Sequence, residues 1–145
     1  MRRKLELMAT SVTSPLLKGK DVVIYSKCLP NEHPNIFEDV VKDKTALCVC
    51  MSEEHLDKVG FKIATIMAYA EPNSITILTM DGSPHCTQLH AIVEQAKRMT
   101  KINMKITHLV VERGVLVEIS GQAVYLSRHL SKIEELLRDV ARKNL

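Results

Sequence analysis

The stretch Ser74-Ile75-Thr76-Ile77-Leu78-Thr79-Met80-Asp81-Gly82-Ser83-Pro84-His85-Cys86 decides the fold. Its first seven residues form a strand-length run rich in β-branched and apolar side chains. Asp81-Gly82 is a turn, and Ser83-Pro84 is a helix start, with serine as cap and proline at the first helical position. Leu89, Ile92, Val93, Ala96 and Met99 then make one apolar stripe, and Lys97, Arg98 and Lys101 fall near the negative end of the helix. Strand, tight turn and helix in that order is one step of a parallel, helix-covered sheet.

The same alternation extends outward. Upstream, residues 22–26 read as a strand, and Pro34 opens a short helix with Ile36, Phe37, Val40 and Val41 on one face. Residues 45–51 are a continuous apolar run, as expected of a strand covered on both faces. Ser52 is placed to cap the next helix, with Glu53 and Glu54 in its first turn. Leu56, Val59, Ile63, Ile66 and Met67 carry that helix to about Tyr69, and Pro72 forbids its extension. Downstream, residues 105–112 and 115–120 are strands joined by a tight hairpin at Arg113-Gly114. A last helix is expected over residues 122–143, on Leu126, Leu130, Ile133, Leu137 and Val140.

This order predicts an α/β fold: a three-layer, Rossmann-like arrangement around a mostly parallel sheet of about five strands. A C-terminal β-hairpin and final helix complete it, with the last strand antiparallel at an edge. Residues 1–19, basic and then rich in Ser, Thr and Lys, read as a flexible N-terminal arm, and residues 20–145 as a single domain.

With 145 residues and 46% apolar content the chain can build a real core, and a net charge of only +3 declares no polyanion-binding surface. Aromatic residues are 3% of the chain, which argues against the stacking platforms of single-stranded nucleic-acid binding. No run approaches the roughly 20 apolar residues of a membrane span, and the basic start lacks a signal-peptide core. The expectation is a cytoplasmic protein. There its four cysteines serve as core thiols, metal ligands or redox groups rather than as a disulfide framework.

Each cysteine lies at or just before the point where an apolar run gives way to a loop. If the runs are parallel strands, those ends share the sheet edge where ligands gather in open α/β folds. Three connections, residues 28–35, 51–55 and 80–90, should meet there. They, with the end of the second strand, bring Cys28, His33, Cys50, His55, Asp81, His85, Cys86 and His90 to one rim. Thiolate and imidazole suit zinc, and cysteines alone can hold an iron–sulfur cluster, so Cys28, Cys50 and Cys86 are the expected metal ligands. No Cys-x-x-Cys spacing reinforces this, and packing alone would account for each thiol.

Cys86 is the central candidate. As the third residue of a helix its thiol would lie near unpaired backbone N–H groups, a field that favours thiolate. His85 is adjacent, and His90, four residues on, shares its helix face, so either could handle its proton. Asp81, Gly82 and Ser83 lead into the same helix start, which suits a small anion or nucleotide phosphate. His108 and His129 fall outside the expected edge and read as structural or surface residues. There is no dinucleotide fingerprint, Walker loop, nucleophile elbow, His-Glu-x-x-His or Cys-x5-Arg.

The run Thr79-Met80-Asp81-Gly82-Ser83-Pro84-His85-Cys86-Thr87-Gln88-Leu89-His90, with Glu53-Glu54-His55-Leu56-Asp57-Lys58-Val59-Gly60-Phe61-Lys62 upstream, resembles small archaeal α/β proteins. Some of these are joined to, or described with, ferredoxin-type iron–sulfur modules. The resemblance covers roughly residues 22–100. It implies work beside a ferredoxin-type partner; this chain lacks the Cys-x2-Cys-x2-Cys-x3-Cys run that would hold such a cluster.

The leading expectation is therefore a thiol- or metal-based site at the carboxyl edge of the sheet, serving redox or electron-transfer chemistry. A binding module for a small anion or nucleotide is the second. The third is an interaction protein, homo-oligomeric or heteromeric, that docks through an exposed helix face or the N-terminal arm.

Overall fold

The computed structural model describes residues 4–144; Met1, Arg2 and Arg3 of the expected arm, and Leu145, lie outside the described residues. Six strands form one sheet: β1 (Leu5–Glu6), β2 (Asp21–Ser26), β3 (Thr45–Val49), β4 (Ser74–Met80), β5 (Lys105–Glu112) and β6 (Val115–Ile119). Their order across the sheet is β1-β3-β2-β4-β5-β6. All pairings are parallel except that of β5 with β6, where Arg113 and Gly114, at φ values of 51° and 75°, turn the hairpin.

Alternation along the strands sends side chains to two separate cores. On one face Val23, Tyr25, Ala46, Cys48 and Leu78 pack under α1 (Leu29–Glu32) and α2 (Pro34–Val41), through Leu29, Phe37, Val40 and Val41. On the other, Val22, Ile24, Leu47, Val49, Ile75 and Ile77 meet α3 (Leu56–Thr65) and α4 (Pro84–Thr100). A π-helical turn, Ile66–Ala70, prolongs α3, and Glu71 ends it in the left-handed conformation just before Pro72. The expected three-layer Rossmann-like architecture is thus the one observed, with β6 antiparallel at one edge.

Three local expectations are corrected. The described part of the arm is packed against the sheet: Leu5 and Glu6 pair with Leu47 and Cys48, and the Leu7 N–H donates to the Cys48 carbonyl at 2.9 Å. Leu7 and Leu17 are fully buried. The reason is that β3 would otherwise be an open edge, and two leucines in a polar stretch are enough to dock it. Ser52 does not cap α3. The N–H groups of Glu53 and Glu54 both donate to the Cys50 carbonyl, so the chain turns once more and His55 becomes the cap.

The last helix is broken into α5 (Gly121–Leu126) and α6 (Leu130–Lys143). The Ser127 hydroxyl donates to the Val124 carbonyl and the His129 N–H to the Leu126 carbonyl, which closes α5. Both pieces keep apolar residues at helical spacing, so periodicity runs through the break unchanged. α5 buries Val124, whereas α6 buries no residue.

Candidate functional site

From β2 the chain passes to β3 on one side and then to β4 on the other, so the strand order reverses between β2 and β4. A crevice outside the carboxyl ends of such a strand pair is the usual ligand position in open α/β sheets. Here the segments at that position are residues 27–29, following β2, and residues 81–86, following β4. The exposed Cys28 thiol lies 3.7 Å from the Met80 thioether at the end of β4. Gly82, at a φ of 84° that an L side chain rarely adopts, makes the turn into α4 and has open space where a Cβ would be. Ser83 caps α4 as expected, its Oγ accepting the Cys86 N–H at 3.4 Å. Asp81 is exposed, and its N–H donates to the Val111 carbonyl, tying the turn to β5.

Ser26, the last residue of β2, is 7% exposed, and its Oγ has no hydrogen-bond partner. It shares the sheet face of Val22 and Ile24, the face that α4 covers. Buried hydroxyls are normally satisfied, so an orphan hydroxyl at the point where strand order reverses calls for explanation.

The expected sulfur cluster is not assembled. Among the described residues no three His, Cys, Asp or Glu side chains gather into a group able to hold a metal ion. Cys28, Cys50 and Cys86 are carried to different places, because strand alternation and the separate loops send them to different neighbours. Cys28 meets Met80; Cys50 Sγ is 3.0 Å from Ser52 Oγ; Cys86 is buried in the first turn of α4. Cys48 and Cys50 instead line a cavity of about 180 Å³ with Glu6, Lys27, Glu53 and Glu54. Lys27 bridges Glu6 at 3.0 Å and Glu53 at 3.5 Å, and its hydrogen bond holds the Glu6 carboxyl below the usual range. Burial pushes the Cys48 thiol up, making it a poorer thiolate source.

The histidines are redistributed as well. His85 is exposed, His33 sits between α1 and α2, and His55 Nδ1 accepts the Asp57 N–H at the start of α3. His90 does not serve Cys86, because both of its ring nitrogens are taken. Nε2 is 2.7 Å from Thr79 Oγ1, and Nδ1 is 2.8 Å from Nδ1 of His108. His108 Nε2 is in turn 2.7 Å from Glu94 Oε1.

Thr79, His90 and His108 are 0%, 5% and 2% exposed, so this is a buried polar line between α4 and the strands beneath it. Burial, and secondarily the neighbouring His108, push the His90 pKa down to about 3 and keep the ring neutral. Reading His108 as structural or surface missed this line. The available signal was that His108 alternates with Ile106 and Val110 on the inward face of β5, while His90 and Glu94 lie four apart on α4.

The fold is that of a Rossmann-like domain. The chain belongs to the family described as Rossmann-like domain, which matches residues 14–143. No curated protein and no solved structure matches it. Among the described residues no helix is long and apolar enough to cross a membrane.

Proposed function

We propose that this domain binds a small anionic group, a phosphate or a phosphate-bearing nucleotide, in the crevice between the carboxyl ends of β2 and β4. The observation that carries the reading is the buried, unpartnered Ser26 hydroxyl at the end of β2, on the sheet face that the 17-residue α4 covers. A helix start favours negative charge through its free N–H groups, and the Gly82 turn lets a ligand approach the backbone closely. Ser26 would supply a further donor. The test is a thermal-shift and calorimetric titration of the full chain with inorganic phosphate and with nucleotides. Ligand at about one hundred times its dissociation constant should add about 2.7 kcal/mol of stability. Ser26→Ala should weaken binding, and Cys86→Ser should leave it intact; no shift with any of these ligands would remove the proposal.

A second reading, thiol-based redox or electron-transfer chemistry, is favoured by the exposed Cys28 thiol against the Met80 thioether, on the α1–α2 face at the same end of the sheet. A ferredoxin-type partner belongs to this reading; a metal shared by Cys28, Cys50 and Cys86 does not. Thiol titration of anaerobically purified protein decides it. A Cys28 that oxidises reversibly in the folded state supports it, and a Cys28 that reacts only after unfolding defeats it.

A further inference from the structure

The last helix, α6, carries apolar side chains that the rest of the chain does not cover. It buries no residue, and Leu130, Leu136, Leu137 and Val140 are between 50% and 78% exposed. Isolated helices shorter than about 12–15 residues are marginal in water, and most helical stability comes from packing an amphipathic face. With 14 residues and nothing buried, α6 lacks that packing within one chain.

Its apolar stripe has a definite form. Leu130, Ile133, Leu137 and Val140 are spaced three, four and three residues apart, as in the seam of a coiled coil. That spacing reads the same in both directions. A second α6 laid antiparallel therefore meets the first layer by layer, as a two-fold contact requires. Leu130 is level with Val140 of the second copy, and Ile133 with Leu137 of the second copy.

Charge favours the same direction. Arg138 pairs with Glu134 at 3.1 Å within its own helix, on one flank of the seam. In the antiparallel register each Arg138 stands about 3 Å along the axis from the level of the other copy's Glu134. A parallel register would instead set every charge level with its own copy, which is repulsive.

We infer that α6 is the docking surface for a second copy of this chain, the two helices pairing antiparallel along Leu130, Ile133, Leu137 and Val140. Two helices about 21 Å long bury less than the about 1,200 Å² in total that marks a standard interface, so the dimer is weak and depends on concentration. A lipid surface is the competing occupant and suits α6 less well. The helix carries four basic and three acidic residues and no Trp, Tyr or Phe, whereas membrane-surface helices have a strongly basic polar face and aromatic anchors. Pairing through α6 uses no residue of the crevice, and it stands whether or not phosphate binds there.

Analytical ultracentrifugation of the full chain, from low to high micromolar concentration, should show a reversible monomer–dimer equilibrium. Leu137→Glu puts a charge at the centre of the seam and should raise the dissociation constant at least about tenfold. Because Leu137 is exposed, the melting temperature of the dilute protein should not change. Direction is read by mixing Ile133→Cys and Leu137→Cys chains, each also carrying Cys28→Ser, under mild oxidation. Antiparallel pairing joins one variant to the other; parallel pairing joins each variant to itself. A chain that stays monomeric at every concentration, a dimer that Leu137→Glu leaves intact, or disulfides only between identical variants would overturn the inference. So would a monomer that sediments with phosphatidylglycerol vesicles and loses them on Leu137→Glu, since that result gives the stripe to lipid.

Discussion

His90 and His108 meet nitrogen to nitrogen, Nδ1 to Nδ1 at 2.8 Å, in an interior closed to water. The burial of His90, and secondarily its contact with His108, has a consequence for acid stability. The His90 value of about 3 in the folded chain lies below its ordinary 6.5, so between those two values the unfolded chain binds more protons. Stability associated with this ring is therefore complete above about pH 6.5 and is lost as pH falls toward 3, by up to about 1.4 kcal/mol per pH unit. His90→Gln should be less stable at neutral pH, since Thr79 and His108 lose their partner, but should show a shallower acid slope. Urea unfolding between pH 4 and 8 measures both; equal slopes would refute the assignment.

Gly60 tests the α3–α4 contact. Alanine in a helix interior is ordinarily worth about 1 kcal/mol over glycine. Here a Cβ would sit 2.6 Å from Ile92 Cγ1 and 2.9 Å from its Cδ1, and overpacking typically costs about 1–3 kcal/mol. Gly60→Ala should thus lower the melting temperature, and adding Ile92→Ala should recover part of the loss. A more stable Gly60→Ala protein would mean that the two helices separate easily.

The docked N-terminal segment should matter to the whole fold. Leu7 and Leu17 are both fully buried in the core under α3 and α4. Leu7→Ala and Leu17→Ala should each cost about 2–5 kcal/mol by denaturant titration. Losses below about 0.5 kcal/mol, the range of ordinary surface changes, would show that the segment contributes nothing.

Thiol chemistry should follow exposure. Cys28 is exposed, Cys50 partly so, and Cys48 and Cys86 are buried. A maleimide reagent should label Cys28 first in the native protein, and Cys48 and Cys86 only on unfolding, as peptide mass mapping would reveal. Early labelling of Cys86 would restore it as the reactive sulfur at the helix start.

The strands and helices were legible where the signals are local. Residues 74–86 carry a β-branched run, a glycine turn and a serine-proline start within one short stretch, and β4, the Ser83 cap and α4 follow. The Arg113-Gly114 hairpin was legible for the same reason. Ser52 misled because a good capping residue can equally sit in a turn, and what decided was Cys50's carbonyl taking two N–H groups. α6 misled because an apolar stripe at helical spacing says nothing about whether a break lies inside it.

The sequence by itself determined the alternation of strands and helices from β2 to β6, and so the α/β class, because turn chemistry, capping and periodicity act over a few neighbouring residues. Only the tertiary structure decided which side chains meet: Cys28 with Met80 rather than with Cys50 and Cys86, and His90 with Thr79 and His108 rather than with Cys86. Those choices depend on which faces of distant elements pack together, a long-range balance of burial and hydrogen bonding that no single stretch of chain encodes.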